Sequence, residues 1–198
     1  MKTPTNPRYG LLALIFALAA SGIYALMVTT TLAYLETLSG LVPFDMRPTG
    51  YSFDDAEQLL AALGRGGRTY YLNRQIPLDT LYPALLSLTL ICALLHFGRD
   101  ISDRRVVLAG IWVALLAGLA DYAENLCVAL MLLGWPDVPP TLVALSSVIS
   151  VSKAILTSVA IFALFGVILN RFRRGPAGLT RGAVPTTRSS GARTPATR

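Results

Sequence analysis

Asp121, Glu124 and Asn125 stand three and four residues apart inside an otherwise apolar stretch, and Ser150 and Lys153 interrupt another. On a helix, positions i, i+3 and i+4 share one face, so the two acids and the amide project together. Ser146, Ser150, Lys153 and Thr157 form a comparable polar stripe. Two nearby carboxyls can divide general acid and base work when burial separates their affinities for protons, and a lysine can stabilise developing negative charge. The same set can equally hold an ion, a proton or a polar ligand group, or lock two helices in register. The chain has no H-E-x-x-H, no Asp-Asp-x-x-Asp and no catalytic serine motif. Its single histidine, His96, has no companion ligands. No catalytic residue, metal or cofactor is therefore assigned.

These charges matter because of where they lie. Residues 9–35, 78–97, 106–133 and 140–169 are long apolar runs, and a bilayer-spanning helix needs roughly 20 apolar residues. Of the 198 residues, 54% are hydrophobic and 14% charged, against about 25% charged in soluble domains. Continuous runs of this length specify helices, since membrane strands alternate over about ten residues. A charge at the bilayer centre costs about 2.5–3.5 kcal/mol and faces a partner or a cavity. Helical rise places Asp121, Glu124 and Lys153 at about 15–20 Å depth, so antiparallel third and fourth spans can bring Lys153 to either acid. Gly110, Ala114 and Gly118 recur at four-residue spacing, which permits close helix approach.

The first run continues to Leu32, beyond the 7–15-residue core of a signal peptide, and reads as a retained span. Basic residues flank the runs at Lys2 and Arg8, at Arg99, Arg104 and Arg105, and at Arg171, Arg173 and Arg174. Four spans put all three groups on one side, predicting cytoplasmic termini in a bacterial inner membrane. The opposing loop carries Arg47, Arg65, Arg68 and Arg74, accompanied by Asp45, Asp54, Asp55 and Glu57. The net charge of +6 belongs to these flanks and to the tail, not to a nucleic-acid surface. Residues 175–198 are Gly, Pro, Ser, Thr, Ala and Arg without apolar periodicity, the composition of a disordered tail. Cys92 and Cys127 fall at mismatched depths, about 20 and 10 Å, and read as buried small hydrophobes.

Residues 37–77 form the long external loop. Ser52-Phe53-Asp54-Asp55 has the form of a capping box, followed by Ala56, Leu59, Leu60 and Leu63 at helical spacing and then Gly64. A short amphipathic helix over 53–63 is predicted, resting on the bundle or the headgroup layer. After it, Arg65, Gly66, Gly67 and Arg68 read as a flexible basic turn before Tyr70 and Tyr71. Arg65, Arg68, Tyr70 and Tyr71 are candidates for binding lipid headgroups. At re-entry Pro77 suits a helix start and Asp79 the first turn. Pro83 predicts a bend that opens a mouth around Asp79 and Tyr82.

The expected fold is all-α: a four-helix transmembrane bundle (1–174) with a short external amphipathic helix, followed by the tail. The candidate polar pocket comprises Asp79, Tyr82, Asp121, Glu124, Asn125, Ser150 and Lys153. The leading functional expectation is binding or translocation of a lipid-like or amphipathic substrate. The alternatives are an intramembrane lipid-modifying enzyme and a non-enzymatic assembly subunit that uses the external helix as a partner surface. Membrane lipid, a second copy or another membrane protein are the expected partners.

Overall fold

The computed structural model describes residues 8–101 and 103–173. Lys2, Arg174 and the expected tail lie outside the described residues. The fold is an all-α four-helix bundle, with no strand among the described residues. Its four helical runs, Arg8–Ser39, Phe53–Phe97, Arg104–Gly134 and Pro140–Arg173, are each long and apolar enough to cross a membrane.

The first run consists of α1 (Arg8–Leu26), a wide π turn (Met27–Thr31) and α2 (Leu32–Ser39). It ends at Gly40, whose φ of 69° is left-handed, the usual conformation of a residue closing a helix. The second run is α3 (Phe53–Tyr70), a second π turn (Tyr71–Gln75) and α4 (Ile76–Phe97). The third and fourth are α5 (Arg104–Gly134) and α6 (Pro140–Arg173). Each packs chiefly on its neighbours: α1 on α4, α4 on α5, and α5 on α6.

The segment between the first two spans is more ordered than its composition suggests. Ser52 caps α3 as expected: its Oγ accepts from the Asp55 backbone N–H at 3.1 Å, while its own backbone N–H donates to Asp55 Oδ2 at 2.8 Å. Ala56, Leu59, Leu60 and Leu63 are buried in one cluster with Leu35, Phe44, Tyr71, Val128 and Met131. Burying one such leucine contributes about 1.5–3 kcal/mol, which explains how so short a helix is held. Two expectations are corrected. The helix does not stop at Gly64; it kinks there at φ 59°, ψ −176° and resumes to Tyr70. The basic stretch after it is therefore helical. Gly67 seats this turn against the end of the first run, where a Cβ would lie 2.8 Å from Leu38 Cδ2. Second, α4 runs on through Pro83; the distortion sits upstream, in the wide turn at Tyr71–Gln75.

The small-residue stripe of α5 does face α4. Ala114 is fully buried, and Ser87 Oγ donates to its carbonyl at 3.1 Å. A Cβ on Gly118 would come within 2.5 Å of Ser87 Oγ, and one on Gly110 within 3.1 Å of Leu94. Close approach of α4 and α5 brings Asp79 onto the same seam as Asp121.

At the opposite end from α3, Gly10 abuts the His96 ring. Arg171 donates to the His96 carbonyl and lies over Phe97. Residues near Arg8, Arg99 and Arg171 thus share one end of the bundle. Cys92 and Cys127 are buried free thiols.

Candidate functional site

The site is built where α5 and α6 carry their charges past α4. Lys153 pairs with both acids of α5: its Nζ lies 3.4 Å from Asp121 Oδ1 and in direct contact with Glu124. Ser150, one turn before Lys153, donates to the other oxygen of Glu124. Glu124 is 1% exposed, with the Ser150 hydroxyl on one oxygen and the Lys153 ammonium against the other. Asn125 Nδ2 donates to the backbone carbonyl of Asp79 at 2.9 Å and ties α5 to the start of α4.

In front of this seam lies a cavity of about 270 Å³, lined on its polar side by Asp45, Gln75, Asp79, Tyr82, Asp121 and Lys153. Tyr24, Met27, Leu32, Met46 and Leu86 supply apolar wall, and Ala154, Thr157 and Ser158 close the α6 side. Of the expected pocket, Asp79, Tyr82, Asp121 and Lys153 line this space; Glu124, Asn125 and Ser150 stand behind it as partners.

Asp45 was not among the expected pocket residues. It sits in a single 3-10 turn (Phe44–Met46) that folds back over the bundle mouth. Its Oδ2 accepts from Tyr71 Oη and from Gln75 Nε2, both at 3.0 Å. Gln75 in turn accepts from Thr31 and approaches Met27 Sδ at 3.5 Å. Both wide turns therefore converge on the cavity, one supplying Met27 and Thr31 and the other Tyr71 and Gln75. Wide turns in α-helices recur at functional sites. No local sequence pattern marks Asp45: its role depends on a fold-back that brings it to residues of two helices.

The electrostatics are lopsided. Four carboxyls (Asp45, Asp79, Asp121 and Glu124) surround Lys153, the sole basic side chain among the described residues lining the cavity. Burial, then the neighbouring charge of Asp79, pushes the Asp45 carboxyl up from 3.8 to about 8. Asp45 Oδ1, Asp79 Oδ2 and Asn125 Oδ1 are buried without a hydrogen-bond partner. Asp45 and Asp79 line the cavity, whereas Asn125 stands behind it. No three of His, Cys, Asp and Glu among the described residues group closely enough to hold a metal ion.

The expected headgroup residues do not act together. Tyr71 is completely buried and serves Asp45. Arg68 folds back to donate to the Leu60 carbonyl at 2.7 Å and lies over Trp135. Tyr70 stacks on Tyr34. Arg65 alone of the four is exposed. The gap in the expectation is geometric: a helical turn distributes these side chains around its circumference, whereas a loop would have let them converge.

No family model matches this chain, and no curated protein or solved structure matches it. The site's own chemistry is the basis for a functional reading.

Proposed function

We propose that this protein binds a lipid-like or amphipathic molecule, with the polar end of that molecule in the acid-lined cavity. The observation that carries this reading is Asp79. It is 4% exposed, lines the cavity, and keeps Oδ2 without a hydrogen-bond partner. Glu124 differs in that one oxygen accepts from Ser150 and the other lies against the Lys153 ammonium. The mixed wall, acids on one side and Leu32, Met46 and Leu86 on the other, suits a molecule with one polar and one apolar end.

The assembly reading loses its proposed surface. Leu59 and Leu60 are fully buried against the bundle, so the apolar face of α3 is not open to a partner. For orientation, the basic residues gathered at the His96 end support a cytoplasmic placement of both termini. Cysteines introduced at Gly66 and at Phe172 should then label from opposite faces of a sealed vesicle; labelling from the same face rejects this topology.

The binding reading is tested by native mass spectrometry of the full chain extracted gently from its membrane. The wild type should retain an amphiphile that Asp79→Asn loses, with an unchanged melting temperature. If neither protein retains one, and none can be loaded by adding membrane lipid extract, the reading fails.

A further inference from the structure

A second space adjoins the cavity. About 220 Å³ lies between α1 and α4, lined by Ala17, Ala20, Ser21, Tyr24, Tyr82, Leu86 and Thr89. Tyr24, Tyr82 and Leu86 line both, and the two tyrosine rings lie 5.5 Å apart where the spaces meet. Ala17, Ala20 and Ser21 leave room where larger residues of α1 would fill it. Every charged lining residue belongs to the first space and none to the second, so the pair has the outline of a charged head pocket beside an uncharged chain groove.

The head pocket also has a sign. Lys153 is already engaged by Asp121 and Glu124. Asp45 and Asp79 remain, each with one buried oxygen lacking a partner. Tyr71 and Gln75 hold the other oxygen of Asp45, which fixes that carboxyl in place. A phosphate or carboxylate head would meet these two acids unfavourably. An ammonium donates three hydrogen bonds and accepts none, and its charge, placed between the two carboxyls, favours their ionised, acceptor-only form.

The cavity touches both outer members of the bundle: α1 through Tyr24, and α6 through Ala154, Thr157 and Ser158. Because α1 packs chiefly on α4 and α6 chiefly on α5, the space between the first and fourth spans is the side on which the bundle is least closed.

We infer that the ligand is a long-chain amine. Its ammonium sits between Asp45 and Asp79, its chain lies in the α1–α4 groove, and it enters sideways from the membrane between the first and fourth spans. This inference rests on the binding function proposed above and narrows its ligand to one charge class.

The test uses the full chain in lipid nanodiscs at pH 7, with dodecylamine carrying a photoreactive diazirine at its chain end. An alkylamine keeps its proton at this pH, as a lysine side chain does. Peptide mapping should place the crosslinks on residues 17–24 and 82–89, and unlabelled dodecylamine should compete. The matching alcohol and carboxylate probes should label these segments about tenfold less, as should the amine probe on Asp45→Asn/Asp79→Asn, the scale expected for losing a charged hydrogen bond. Ala20→Trp fills the groove with the acids untouched. It should remove the crosslinks even if the double variant fails to fold.

Equal labelling by alcohol or carboxylate, still sensitive to Asp79→Asn, overturns the amine assignment and leaves the amphiphile reading standing. Absence of groove labelling by all three probes, or labelling unaffected by both variants, overturns both.

Discussion

The first and third spans have similar apolar composition and opposite roles. Helix α1 buries one residue, Ala20, while α5 buries twelve, including Asp121, Glu124 and Asn125. One is a wall plastered on the side of α4; the other is the spine on which α4 and α6 are both mounted. Polarity therefore follows enclosure: the acids sit on the helix whose neighbours can neutralise or hydrogen-bond them. Helix α1, with lipid on most sides, carries no acid. Changes on α5 and its partners should thus act through folding, and changes on α1 through access to the cavity.

The largest effect is expected for Lys153→Met, which strands two buried acids. Loss of one partner of a buried ion pair costs about 3–5 kcal/mol. Thermal melts should show part of this recovered on adding Glu124→Gln or Asp121→Asn. Strict additivity with both would remove the pairing from the account.

A second effect is set by pH. Folded Asp45 keeps its proton to about pH 8, whereas its ordinary value is 3.8. Between those values the folded state binds more protons than the unfolded one, so the Asp45 share of stability falls as pH rises from about 4 to 8 and levels off above. Asp79, Glu124, Lys153 and Tyr71 face the same carboxyl. The comparison is therefore wild type minus Asp45→Asn, melted from pH 5 to 9. A difference that grows with rising pH in favour of Asp45→Asn is expected; a flat difference contradicts the burial of this acid.

Gly118→Ala should cost about 1–3 kcal/mol by overpacking the α4–α5 contact, since its Cβ would collide with Ser87 Oγ. Adding Ser87→Ala should recover much of it. Ser52→Ala should cost about 0.5–2 kcal/mol, and hydrogen exchange should show the loss at the start of α3. Leu14→Ala on the exposed face of α1 should stay within about 0.5 kcal/mol of wild type. A large destabilisation there would erase the contrast between the two spans.

Much of this was legible in the residues. Apolar run length fixes the four spans, and i, i+3, i+4 spacing groups Asp121, Glu124 and Asn125. The glycine–alanine stripe indicates where α5 can be approached, and the Ser52 box marks the start of α3. All are local patterns, repeating within a turn or two. What could not be read is what depends on tertiary closure. Asp45 reaches the cavity by a fold-back, Tyr71 is turned inward by a wide turn, and the arginines after Gly64 are dispersed by helix where a loop was expected. Pro83 misled because proline's missing N–H is usually a local break, yet the helix carries it here, packed toward Gly118.

The two wide turns have a further meaning at the level of the gene. A π turn spends one residue more than an α-helix on the same stretch of backbone, so each has the form of a single-codon insertion in a regular helix. Both stand at the cavity, at Met27–Thr31 and Tyr71–Gln75. Deleting one codon from either would restore the regular winding and turn the two flanking segments against each other by about 100°. Tyr24 would then lose its alignment with Leu32, or Tyr71 with Asp79, while hydropathy stayed almost the same. The charges of α5 and α6 would remain, but the residues that face them across the cavity would be turned away.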